Sequence, residues 1–377
     1  MSRTKVLVIY GTRPEAIKMA PVVSALRRRP ERFEVVVCTT AQHREMLDQA
    51  QELLGLAPDL DLDLMTPDQS LNGLAARALE GLDGVLRRTA PDWLLVQGDT
   101  TTAMVGALAA FHLQVPVGHV EAGLRTGDLR RPFPEEMNRS VIDLVAAALF
   151  APTARAQEAL IAGGADPATI FLTGNTVIDA LQAIARDLPD EGVTDEILVT
   201  VHRRESFGGP IREIFAALRD LALEFPRLRW IYPVHPNPNV RRPAAEILGG
   251  LSNFELHEPF DYRELVRRLR RARLVLSDSG GIQEEAPAFA KPVLVLRERT
   301  ERPEGIAAGV ARLVGVDRDR IVEETRRLLI DPREYRAMAN AVNPYGDGRA
   351  AARIACALAG EPFEPFAAGY PLATAQS

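Results

Sequence analysis

Short apolar runs, each closed by glycine, proline or small polar residues and each followed by a longer stretch with helical spacing, recur along this chain. Residues 5–10 read as a buried strand. Gly11-Thr12-Arg13-Pro14-Glu15 breaks it, and Pro14 suits the first turn of a helix running to Arg29. A second strand is predicted over 33–39, and Gln42-His43-Arg44 opens a helix to Leu54. Residues 71–88 are helical. The strand over 92–97 ends in Gly98-Asp99-Thr100-Thr101-Thr102, which opens a small-residue helix to Phe111. The strand over 116–120 ends in Glu121-Ala122-Gly123. Residues 124–134 have no periodicity, are charged, and read as a functional loop. Pro134-Glu135-Glu136 starts a helix to Ala147, and 148–150 form a short strand.

After the break Leu172-Thr173-Gly174-Asn175-Thr176 the alternation restarts. Strands are expected over 197–201, 229–233 and 254–256, with helices over 211–223, 240–248 and 262–270. Residues 274–276 then form an apolar run suited to a strand covered on both faces. It ends at Ser277 and turns through Ser279-Gly280-Gly281 into a helix that carries Glu284 and Glu285 in its first turn. A strand over 292–296 and helices over 321–329 and 348–358 follow. Strand–helix alternation twice over predicts two doubly wound, Rossmann-like α/β domains, residues 1–172 and 173–358, facing each other across a cleft. The Pro- and Ala-rich tail, 359–377, is expected on the surface or frayed.

Composition narrows the function. A net charge of −6 implies no basic surface and argues against a nucleic-acid partner. No apolar stretch approaches the length of a membrane span, and no signal-peptide pattern follows the first strand. Two cysteines, Cys38 and Cys356, give neither a disulfide framework nor a cysteine metal site and fit a reducing cytoplasm. Lysine occurs only at 5, 18 and 291 in an Arg-dominated chain, so Lys18 is a candidate for work that needs a compact, titratable ammonium.

The candidate chemistry lies at the strand ends. Turns call for Gly, Thr, Asp and Pro, but no turn needs the His or Glu found in His119-Val120-Glu121, His202-Arg203-Arg204-Glu205 and His235-Pro236-Asn237. Six polar strand ends in two facing domains point to a site. The Ser279-Gly280-Gly281 turn gives a ligand close backbone approach and helix N–H groups that favour an anion, with a carboxylate beside it for sugar hydroxyls. That pattern suits a nucleoside diphosphate and its ribose; an ordinary tight turn is the alternative. Asp99, Glu121 and Glu135 suit general acid–base work. Asp99 could instead cap the Thr100 helix, and Glu135 could serve only as a helix-start residue. Arg302 could reach a phosphate or a base, or form a surface ion pair with Glu298 or Glu301. His43, His112 and His257 read as structural. No metal-ligand spacing, Gly-x-Gly-x-x-Gly fingerprint or Walker loop is present, so no metal or dinucleotide cofactor is expected.

These segments together resemble the non-hydrolysing UDP-N-acetylglucosamine 2-epimerases. The resemblance runs from Gly11-Thr12-Arg13-Pro14-Glu15-Ala16-Ile17-Lys18 to Asn343-Pro344-Tyr345-Gly346-Asp347-Gly348, through 97–102, 119–125, 134–139, 202–205, 277–285 and 300–304. It implies a glycosyltransferase-B-like fold whose last helix crosses back to the first domain. It also implies reversible conversion of UDP-GlcNAc to UDP-ManNAc without metal or NAD, by anti elimination of UDP to 2-acetamidoglucal and re-addition, in a cytoplasmic homodimer. By the same resemblance Asp99, Glu121, Glu135 and His202 are the catalytic candidates, with no one carboxylate singled out as the base. Arg13, Lys18, Ser279, Gly280, Gly281, Glu285 and Arg302 are the substrate-binding candidates. Gln42, Arg203 and His235 fit a regulatory pocket for a second UDP-GlcNAc. Two departures stand out. Leu265 replaces a frequent aromatic, and Glu45 and Asp68 replace the expected Gln and Arg, which predicts weak or absent activation. A modified UDP-sugar substrate, a hydrolysing epimerase, a glycosyltransferase and a non-catalytic UDP-sugar-binding regulator remain open; the three carboxylates near an anionic ligand argue against the last.

Overall fold

Alternation within the first strand shows how both faces of a sheet are filled. In β1 (Thr4–Tyr10), Val6, Val8 and Tyr10 enter one apolar cluster and Leu7 and Ile9 the cluster on the other face. The structure, a computed structural model, describes residues 3–41, 44–64, 66 and 69–368, without the side chains of 44–46. The remaining strands of the first sheet are β2 (Phe33–Thr39), β3 (Leu60–Asp61), β4 (Trp93–Gln97), β5 (Val117–Val120), β6 (Ala148–Ala151) and β7 (Ile170–Leu172). They are ordered β3-β2-β1-β4-β5-β6-β7, with every described pairing parallel. Helices α1 (Arg13–Arg27), α2 (Arg44–Leu54), α3 (Leu71–Thr89), α4 (Thr101–His112), α5 (Glu135–Val145), α6 (Ala154–Ala162) and α7 (Thr176–Arg186) connect them. Helix α4 is built of small residues because it lies hard against β1: a Cβ at Gly106 would collide with Ile9.

The second sheet contains β8 (Glu196–Thr200), β9 (Arg229–Pro233), β10 (Phe254–His257), β11 (Leu274–Ser277), β12 (Val293–Val295) and β13 (Ala311–Leu313). Its order is β10-β9-β8-β11-β12-β13, again parallel. The accompanying helices are α8 (Gly209–Glu224), α9 (Pro238–Leu248), α10 (Tyr262–Arg271), α11 (Gly280–Glu285), α12 (Pro303–Ala307), α13 (Arg318–Ile330) and α14 (Pro332–Ala339), before the last helix α15 (Ala350–Leu358). Two parallel-sheet α/β units result. Among the described residues no helix is long and apolar enough to cross a membrane.

The units do not divide where the loop at 172–176 suggested. The first comprises residues 1–182 and 346–367, the second 183–345. The first two turns of α7 stay with the first unit because Val177, Ile178, Ala180 and Leu181 are buried and Asp179 holds the start of α15. It accepts from the N–H groups of Ala350 at 3.2 Å and Ala351 at 2.9 Å. Helix α15 adds Ala351, Ile354, Ala355 and Leu358 to the cluster containing β1 and α1. The tail beyond it is fixed rather than frayed up to Phe366. Arg29 reaches both oxygens of Glu361 at 2.6 and 2.7 Å, and the N–H of buried Phe366 donates to the Leu172 carbonyl at 2.9 Å. Residues 369–377 lie outside the described part.

Candidate active site

Each sheet changes its direction of winding once, between β1 and β4 in the first and between β8 and β11 in the second. Doubly wound sheets bind ligands beyond the carboxyl ends of the strands at such a point. Of the polar strand ends flagged in the sequence, those after β1, β4, β8 and β11 flank these two positions, and those after β5 and β9 lie one strand further out.

In the first unit, Thr12 caps α1 and Glu15 returns the bond. Glu15 accepts from the N–H groups of Gly11 and Thr12 at 3.1 and 2.8 Å and from the Thr100 hydroxyl at 2.7 Å. One buried carboxyl therefore ties the turn after β1 to the turn after β4, and burial pushes its pKa up. Gly11 is required by close approach, since a Cβ there would strike the hydroxyls of Thr40 and Thr102. Arg13, half-buried at the head of α1, makes no hydrogen bond or ion pair among the described residues. Lys18, one turn on, pairs with Glu121. Glu121 is 7% exposed, also accepts from Asn175 at 3.1 Å, and is held at φ +67°. A non-glycine residue in that region costs on the order of 1–3 kcal/mol and persists where its surroundings dictate it.

Asp99 does not cap α4. Thr100 does, accepting from the Ala103 N–H at 3.0 Å, and Asp99 instead pairs with buried Arg139 of α5 while Asn138 donates to its carbonyl at 2.8 Å. Glu135 and Glu136 divide their work. Glu136 is buried and accepts from the N–H groups of Thr126 and Gly127 at 2.9 and 3.0 Å, folding the preceding loop back. Glu135, half-buried at the first position of α5, makes no such bond among the described residues.

In the second unit the hydroxyls of Thr200 and Ser277 meet at 2.6 Å, and Ser277 accepts from the Ser279 N–H at 2.9 Å. Gly280 and Gly281 have ordinary helical backbone. A Cβ at Gly280 would come no nearer than 3.5 Å to any atom, and one at Gly281 no nearer than 3.7 Å. Close packing therefore does not require glycine at either position. The guanidinium of Arg203 overhangs this turn, its Nη2 being the atom 3.5 Å from the ideal Gly280 Cβ. Asp278, fully buried, accepts from the N–H groups of His202 and Arg203, each at 2.8 Å, and its other oxygen lies 3.6 Å from His202 Nδ1. Burial pushes this carboxyl up, against the pull of His202 and the two N–H groups. His202 stacks on His235, ring centres 5.7 Å apart.

Arg302 is not on the surface. It is 12% exposed and pairs with buried Glu284. Tyr345 locks the same corner, its hydroxyl donating to the Arg302 carbonyl at 3.2 Å and accepting from the Gly305 N–H at 2.9 Å. Glu285, the ribose candidate, accepts from the Tyr262 hydroxyl at 3.3 Å. Leu265 packs against the core of the second unit. Gln42 and Asp68 lie outside the described residues, as does the side chain of Glu45.

Of the candidates, Arg13, Lys18, Asp99, Glu121 and Glu135 belong to the first unit, where Lys18 and Glu121 meet, and His202, Arg203, His235, Ser279, Gly280, Gly281, Glu285 and Arg302 belong to the second, where His202 stacks on His235 and Arg203 overhangs Gly280. Sequence reasoning missed Glu15, Arg139 and Asp278. Asp278 had a visible signal, an acid inside the strand–helix turn; Arg139 in mid-helix had none. Among the described residues no three His, Cys, Asp or Glu side chains converge as metal ligands.

Comparison with known proteins gives a consistent result. The family model described as UDP-N-acetylglucosamine 2-epimerase matches residues 24–359. The UDP-N-acetylglucosamine 2-epimerase of Escherichia coli K12 is 51% identical over 372 residues, 94% of this chain and 98% of that one. A crystal structure of UDP-GlcNAc 2-epimerase from Neisseria meningitidis bound to UDP-GlcNAc superposes with a TM-score of 0.89 at 42% identity, covering 95% of this chain and 100% of that one. A glycosyltransferase from Streptomyces nogalater shares the fold alone, with a TM-score of 0.59 at 18% identity, covering 96% and 100%.

Proposed function

Because the chain belongs to the UDP-N-acetylglucosamine 2-epimerase family and is an isomerase, we propose that it interconverts UDP-GlcNAc and UDP-ManNAc by anti elimination and re-addition of UDP. A carboxylate takes the proton from C2. The C2–H electron pair becomes the C1=C2 double bond of 2-acetamidoglucal, and the C1–O bond breaks with its pair leaving on UDP. Re-addition reverses these steps with the proton delivered to the opposite face of C2. No atom changes oxidation state overall, so the chemistry requires no redox partner and is proposed to run without NAD or metal.

The observation that carries this reading is the first unit's pair of strand-end carboxylates, each fixed by a cation: Asp99 by Arg139 and Glu121 by Lys18. With Glu135 they are the acid–base candidates. The Ser279-Gly280-Gly281 turn under Arg203 is assigned to the departing diphosphate, whose growing charge fixed donors stabilise. His202 is assigned to the diphosphate or to proton transfer, Glu285 to the ribose, and Arg13 and Arg302 to the nucleotide. Arg203 and His235 also remain the candidates for a pocket that holds a second UDP-GlcNAc. We further propose a homodimer, for which Phe111 and Leu144, exposed at the ends of neighbouring helices α4 and α5, supply an apolar contact. A cytoplasmic location fits two unpaired cysteines.

Rapid quench of the protein with UDP-GlcNAc, alone and beside a 2,3-diacetamido uronic acid analogue, tests the pathway and the substrate. The expected result is UDP and 2-acetamidoglucal in equal amounts alongside UDP-ManNAc. Turnover of the analogue only would move the substrate class, and free ManNAc with UDP would replace the reaction with hydrolysis.

A further inference from the structure

Asp143 lies within α5, 6% exposed, outside the set of groups so far assigned to the reaction. It gathers three donors from the end of β5 and the turn beyond it. It pairs with His119 Nδ1 and with the Arg125 guanidinium, and the Gly123 N–H donates to it at 3.3 Å. His119, fully buried, places its other nitrogen 2.8 Å from the Gly98 carbonyl oxygen.

A carbonyl oxygen only accepts, so Nε2 must donate to Gly98. Burial pushes the Asp143 carboxyl up, but His119 and Arg125 outweigh it and hold the carboxyl below its ordinary range. The other ring nitrogen, Nδ1, faces the Asp143 carboxyl, so the ring bridges Asp143 and the Gly98 carbonyl. The ring becomes a rigid strut between α5 and the peptide that precedes Asp99.

Both residues next to this strut sit in left-handed backbone: Gly98 at φ +70° and Glu121 at φ +67°. Glycine tolerates that conformation; glutamate does not without support. The strut holds Gly98 on one side of Asp99. The Gly123 and Arg125 bonds hold the turn that follows Glu121.

We propose that Asp143 and His119 are positioning residues for the acid–base step. The pair fixes the two turns that aim Asp99 and Glu121, without touching substrate. This rests on the assignment of those two carboxylates to proton transfer at C2. Asp143→Asn keeps the shape but loses the charge and can no longer serve all three donors. His119→Gln keeps an amide donor for Gly98 and loses the bond to Asp143.

The test measures deuterium uptake at C2 of UDP-GlcNAc in D2O beside UDP affinity by titration, on folded, full-length protein. The expected result is exchange at least about tenfold slower in both variants, with UDP affinity within twofold of the parent. A purely structural role would move affinity, exchange and melting temperature together. Exchange within twofold of the parent in either folded variant, or equal losses of exchange and UDP affinity, overturns the proposal. If Asp143→Asn does not fold, His119→Gln decides by the same criteria. Absence of exchange in the parent protein instead overturns the acid–base assignment itself, so the two failures are distinct.

Discussion

Glu135 and Glu136 are neighbours at the start of one helix, and only one of them is engaged by the fold. Glu136 folds the loop before it; Glu135, half-buried, makes no bond among the described residues. Glu135→Gln is therefore expected to lower kcat by about 100-fold or more, in the range for loss of a positioned acid or base, with the melting temperature unchanged. If Glu135 were only a helix-start residue, thermal melts would record a loss of roughly 0.3–1 kcal/mol and the progress curves would show full turnover. Candidate residues stood out in the sequence where a side chain was chemically out of place for a turn, as with Glu121 and His202; Asp99 stood out only by its company. What could not be read was who holds them. The partner of Asp99 is Arg139 and the clamp on His202 is Asp278. Both contacts exist only after the chain has folded.

At the level of elements, long and strongly periodic stretches were readable and short ones were not. The limits of β2 and β9 coincide with the apolar runs, while β3, with two residues, and β7 and β13, with three each, left too little pattern to see. Helices α6, α7 and α14 passed unread among the loops that surround them. The cost of missing α7 was a misplaced boundary, because its Asp179 anchors α15. That carboxyl is pushed up to about 7, mainly by burial, against about 3.9 in the unfolded chain. The folded protein therefore holds this proton more tightly. The group's contribution is fully present below about pH 4 and is lost as pH rises toward 7, on the order of 4 kcal/mol at most. Calorimetry of the parent and of Asp179→Asn at pH 4 and pH 8 reads this out. The variant should gain on the parent between the two values; a pH-independent difference would mean that the N–H groups of α15 keep the carboxyl ionised throughout.

Over the whole molecule, two sheets of the same winding carry different chemistry at corresponding places. The first unit presents carboxylates fixed by cations beyond β4 and β5; the second presents a glycine turn under Arg203, with His202 held by Asp278. That division was visible in the sequence as two rounds of strand–helix alternation with unlike strand ends. The discontinuous make-up of the first unit was not, since α15 and the segment to Phe366 join it through contacts such as Arg29–Glu361 that are remote along the chain. Elimination and re-addition require that the C2 proton be exchanged. Proton NMR of UDP-GlcNAc with the purified protein in D2O reads this exchange. UDP-ManNAc bearing deuterium at C2 is expected, with deuterium also entering recovered UDP-GlcNAc. UDP-ManNAc that retains its original C2 proton would rule out proton transfer at C2.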